Sequence, residues 1–128
     1  MSVVEALASI GLLSIVLMGT AVGGDRATRY TQYSRTASTA MTLVQDESEQ
    51  LMAAPVGSAV LNAGNHTDAN NPITSTAAAG GIYTRTWTVT NNTPTNGLLT
   101  IKVQVAWSIY GNNHSVNEVM VRCSIVGC

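Results

Sequence analysis

The first 24 residues, MSVVEALASIGLLSIVLMGTAVGG, are apolar or small throughout except for one charged side chain, Glu5. As a helix this run extends roughly 35 Å at ~1.5 Å per residue, enough to cross a hydrocarbon layer of about 30 Å. No Lys or Arg precedes Arg26, against the basic n-region that a secretory signal peptide carries, so a retained span is expected. The first basic residues, Arg26, Arg29 and Arg35, follow the span in the company of Asp25. As a topology cue they are diluted by that aspartate, and the positive-inside bias would orient the chain the other way.

Glu5 carries most of the information in the span. An ionised carboxylate at the centre of a membrane helix costs about 2.5–3.5 kcal/mol, so such groups face a counter-charge rather than lipid. The nearest cation is the chain's own amino terminus, which a side chain four residues on reaches only loosely. A neighbouring helix staggered along its axis brings its amine directly to the carboxylate. The competing reading places Glu5 at the membrane surface because it stands so close to the start of the run, and both readings stay open here.

Beyond the span, Tyr30, Ala37, Val44 and Leu51 recur every seventh place, with Tyr33, Ala40, Met41 and Ala54 interleaved. That spacing predicts an amphipathic helix over 25–54 whose stripe carries a globular layer. Pro55 and Gly57 end it. Asp46, Glu47 and Glu49 read as a solvated face of this helix, because neighbouring exposed carboxylates separate their pKa values usefully only on burial. Gly19, Gly23 and Gly24 lie between span and stripe, and glycine costs roughly 1 kcal/mol against alanine inside a helix, which marks 19–25 as a candidate break.

Residues 55–81 are rich in Asn, Gly, Ser, Thr and Ala and read as a polar connecting loop. Over 82–128 the pattern changes to period two. Tyr83, Arg85, Trp87 and Val89 share one side with Ile82 and four threonines opposite, and Leu99, Ile101, Val103, Val105, Trp107 and Ile109 alternate with polar or small residues. Turn residues at 91–97 and at Gly111-Asn112-Asn113 join these to a third strand over 114–123. The expected fold is α+β: a long N-terminal helix whose second half packs under a C-terminal antiparallel meander, with its apolar first half left for packing between subunits.

The opening Met1-Ser2-Val3-Val4-Glu5 followed by an apolar run resembles the mature N-terminus of type IV pilins and type II secretion pseudopilins. The text 37–40 through 49–51, the strand Lys102-Val103-Gln104-Val105-Ala106-Trp107 and the following Asn113-His114-Ser115-Val116 are similar to the minor-pilin and pseudopilin branch. Pilins commonly begin with Phe, where this chain has Met1. The resemblance implies a leader removed by prepilin peptidase, N-methylation of Met1, and a Glu5 that neutralises an adjacent subunit's amino terminus and sets axial register. It further implies local melting of the buried helix around 19–25 on assembly. The partners it implies are further copies in a helical homo-oligomer, other pilins and the assembly machinery. The chain is then held in the inner membrane with a periplasmic domain before assembly, and stands in an extracellular filament after it. Such export meets the oxidising condition that a disulfide between Cys123 and Cys128 requires, and Gly127 permits the tight return. Redox catalysis is disfavoured by a spacing that is not Cys-x-x-Cys and by the lack of an activating basic neighbour beyond Arg122.

Chemistry is otherwise sparse. With 10% charged residues and a net charge of −1, no broad basic field exists for nucleic acid or an anionic membrane surface. There is no phosphate-loop, His-Glu-x-x-His or Gly-x-Ser-x-Gly motif, so neither an enzyme nor a cofactor is indicated. His66 and Asp68 lack further metal ligands and read as solvated loop residues. His114 reads as a strand-edge residue, and glycosylation sequons at Asn65, Asn91 and Asn113 are common in a chain this rich in Asn and Thr. Three classes result: a structural filament subunit for adhesion or motility, a rare tip, priming, ligand- or DNA-binding component, and an anchored monomer whose behaviour ignores Glu5→Ala.

Overall fold

The structure, a computed structural model, describes residues 2–125, the side chains of 21 and 22 excepted. It comprises two units, Met1–Arg35 and Thr36–Cys128. One helix, α1 (Val3–Ala53), contributes to both. After it come a 3-10 turn (Ala59–Leu61) and four strands, β1 (Gly64–Thr67), β2 (Tyr83–Asn91), β3 (Leu98–Ile109) and β4 (Asn112–Cys123), forming an antiparallel sheet in the order β1-β2-β3-β4. The class is α+β, as the two periodicities require.

In the second unit the helix buries Ala40, Leu43, Val44 and Leu51 against Tyr83, Trp87 and Val89 of β2 and Leu99, Ile101, Val103, Val105 and Trp107 of β3. Strict alternation puts every odd-numbered residue of β3 from 99 to 107 into this core. The opposite sheet face is a polar lattice of Thr84, Thr86, Thr88, Thr90, Thr100, Lys102 and Gln104. Three residues of the predicted stripe do not hold: Tyr30, Tyr33 and Met41 are exposed, and Leu43 takes a core place the seven-residue spacing missed. The packed unit begins at Thr36, so Tyr30 and Tyr33 precede the layer they were expected to pack against.

Local chemistry explains the ends and turns. Ala53 closes the helix two residues before Pro55, and Gly57 turns the chain at φ +85°. No basic residue stands in the last helical turn; Arg122 of β4 reaches across to the Leu51 carbonyl and supplies the missing cation. The β3–β4 hairpin turns on Tyr110 and Gly111, both with positive φ, as a tight two-residue connection demands. The turn therefore sits earlier than the predicted Gly111-Asn112-Asn113, and β4 starts at Asn112.

The reading of 55–81 as plain loop is corrected. It contains β1, whose residues pair with β2 from Gly64↔Val89 to Thr67↔Thr86, and two core residues, Leu61 and Ile73. Past β1, the Asn71 side chain continues the ladder in place of a main chain. Its Oδ1 accepts from the Arg85 N–H at 2.9 Å and its Nδ2 donates to the Arg85 carbonyl at 2.7 Å. Ile73 then exchanges both main-chain bonds with Tyr83, at 2.7 and 3.1 Å. A segment held by four strand residues, one amide and isolated apolar anchors has no period to detect.

Candidate functional site

The N-terminal part of α1 exposes a long run of large apolar side chains. Val3, Val4, Leu7, Ile10, Leu12, Leu13, Ile15, Val16, Leu17 and Met18 are each at least 60% exposed. The helix is long and apolar enough to cross a membrane by length and composition. Its hydroxyls are internally satisfied: Ser9 donates to the Glu5 carbonyl at 2.9 Å, Ser14 to Ile10 at 2.8 Å and Thr20 to Leu17 at 3.0 Å. Each of these three hydroxyls thus turns back on the main chain and meets the requirement of an apolar solvent.

Glu5 is exposed in the first turn of this helix. Ser2 stands three residues ahead, and its hydroxyl accepts from the Glu5 N–H at 3.4 Å while its carbonyl accepts from the N–H groups of Glu5 at 3.1 Å and Ala6 at 3.2 Å. Ser-x-x-Glu is capping-box spacing, a signal present in the sequence and overlooked beside the charge argument. A carboxylate in the first turn also complements the helix dipole by about 0.3–1 kcal/mol. Glu5 therefore has a local role within one chain in addition to any role between chains.

Gly19, Gly23 and Gly24 are helical, and an added Cβ at each would meet open space. In the single chain α1 passes through 19–25 without a break, so unwinding belongs only to the assembled state that the resemblance implies. Met1 and Cys128 lie outside the described residues, which leaves methylation and the Cys123–Cys128 pairing as expectations. Cys123 itself ends β4 opposite Leu98.

The domain holds a polar cluster that sequence reasoning placed in solvent. Arg85, on the core face of β2 with 6% of its side chain exposed, meets Asp68 through Nε at 3.0 Å and NH2 at 2.5 Å, Glu47 at 3.1 Å and Asp46 at 3.3 Å. Glu47 and Asp68 are themselves 9% and 11% exposed, which corrects the reading of both as solvated groups. Burial pushes the Glu47 carboxyl above its usual range against the pull of Arg85. Burial acts on Asp68 in the same direction, but the Asn70 main-chain N–H and the Arg85 guanidinium outweigh it and hold that carboxyl low. The available signal was an arginine between Tyr83 and Trp87 on the apolar side of an alternating strand, which demands buried acids somewhere. The cluster ties α1, the segment after β1 and β2 together.

His66 stacks on Trp87 at 5.3 Å and 7°, with Nε2 2.7 Å from the Asn62 carbonyl. It stands on β1 rather than in the predicted loop, beside a shallow depression of about 490 Å³ lined by Asn65, Thr67, Thr86 and Thr88 without a carboxylate or thiol. His114, on edge strand β4 as expected, lies 5.5 Å from Trp107. Among the described residues no three His, Cys, Asp or Glu side chains converge as metal ligands. Comparison with known protein families, functionally characterised proteins and solved structures yields no match.

Proposed function

We propose that this chain is the structural subunit of a type IV pilus or pilus-like filament, polymerising through its N-terminal helix for adhesion or motility. The observation that carries the reading is a single helix, Val3–Ala53, with an apolar, exposed first part and a second part built into the core of a β domain. Burying the ten large apolar side chains between Val3 and Met18 is worth on the order of 15–30 kcal/mol at ~1.5–3 kcal/mol per fully buried side chain. Lipid covers that surface before assembly and the helices of neighbouring copies cover it afterwards. In the bundle Glu5 meets a neighbour's amino terminus, which relieves the cost of its burial and sets the stagger.

The filament stands outside the cell, and the oxidising exterior joins Cys123 to Cys128. Similarity of the helix and strand text to the minor-pilin branch favours one second reading, a priming or tip component present at low abundance. Mass spectrometry of sheared filaments separates the two by the fraction this chain contributes, and reports methylation of Met1.

Glu5→Gln is the direct test, because glutamine keeps capping-box chemistry and removes only the charge. The variant is expected to enter membranes at least as well as the wild type and to yield no filaments by electron microscopy. Filaments in wild-type numbers would refute the charge-pairing account.

A further inference from the structure

Between Glu5 and Asp25 α1 carries no charge and no break. At ~1.5 Å per residue, Glu5 lies about 30 Å along the axis from Asp25 and about 32 Å from Arg26, close to the ~30 Å hydrocarbon thickness of a bilayer. When the first charge of the span is at one membrane surface, the next charges are at the other. Arg26, Arg29, Tyr30 and Tyr33 follow there at i, i+3, i+4 and i+7, the spacing of one helix face, while Arg35 falls on the opposite side. Tyr30 is 78% and Tyr33 44% exposed, and neither joins the domain core. Arg29 pairs with Asp25 at 3.2 Å with both side chains largely exposed, an i,i+4 contact of small worth. Arg26 and Arg29 against Asp25 leave this turn of helix positive.

We propose that Arg26, Arg29, Tyr30 and Tyr33 form a collar that binds the phosphate headgroups of anionic phospholipid where α1 leaves the bilayer. Guanidinium forks match phosphate oxygens in pairs, and tyrosine rings settle at the headgroup level with the hydroxyl toward water. The collar holds the unassembled subunit at a defined depth, and extraction into a filament must break its lipid contacts. This rests on the membrane-spanning reading of α1, which the test below checks separately.

The full-length chain is reconstituted into bilayers of equal parts phosphatidylcholine and phosphatidylglycerol, and the lipid it retains is counted by native mass spectrometry. Flotation with pure phosphatidylcholine vesicles reports insertion alone. The wild type is expected to float and to retain phosphatidylglycerol in excess of the bulk ratio. R26Q/R29Q should still float but lose that excess, on the order of fivefold per arginine removed, whereas R35Q should keep it. Flotation without phosphatidylglycerol enrichment, or equal enrichment in R26Q/R29Q, overturns the collar and leaves the span intact. Failure of the wild type to float overturns both.

Discussion

Replacing Arg85 by methionine removes the counter-ion from the buried Glu47 and the half-buried Asp68 while roughly preserving side-chain volume. In the native domain the guanidinium stands 3.1 Å from Glu47 and 2.5 Å from Asp68, with Asp46 at 3.3 Å on its more exposed side. Breaking a buried pair by deleting one partner costs about 3–5 kcal/mol, because the remaining charge is left uncompensated. Against a typical stability of about 5–15 kcal/mol that loss is large, and in a domain of this size it lowers Tm by roughly 15–30 °C. The measurement is thermal unfolding of the full chain in non-ionic detergent micelles, followed by near-UV circular dichroism of the buried Trp87 and Trp107. The deficit should narrow as pH falls, because Glu47, pushed up by burial, takes a proton and no longer leaves a stranded charge. Adding Glu47→Gln and Asp68→Asn to Arg85→Met should recover most of the loss, since the stranded charges are gone. A loss under about 1 kcal/mol for Arg85→Met at pH 7, or a triple variant no more stable than the single one, would refute the reasoning.

Gly81→Ala should destabilise the domain by several kcal/mol in the same unfolding assay, since a Cβ there would lie 1.8 Å from the main-chain oxygen of Ile73, which must stay put to accept the Tyr83 N–H. The two acids on Arg85 give opposite pH limbs. Glu47, raised above 4.5, contributes stability that is present below its unfolded value and lost as pH rises through its folded one; Asp68, held below 3.8, contributes stability present above its unfolded value and lost as pH falls through its folded one. Glu47→Gln should therefore flatten the decline in Tm above about pH 4.5 and leave the acid limb in place.

Two long patterns were legible in the chain's own order, strict alternation in β3 and the apolar run that opens α1. Alternation from Leu99 to Trp107 identified the central strand and its core face, and the apolar run from Val3 with Pro55 beyond located a long helix and its end. The central segment was not legible, because its order comes from partners far away in sequence. β1 exists through β2, Asn71 is a strand partner only because Arg85 lies beside it, and Asp68 is drawn partly out of water only because that arginine is. The same limit explains Glu47, which local spacing placed with Asp46 and Glu49 in water and the sheet placed against Arg85. Periodicity records which side of an element avoids water, so it determined the two layers and the apolar span with its lone Glu5. Where a polar side chain finds its partner depends on how layers meet, and that was decided only in the folded domain.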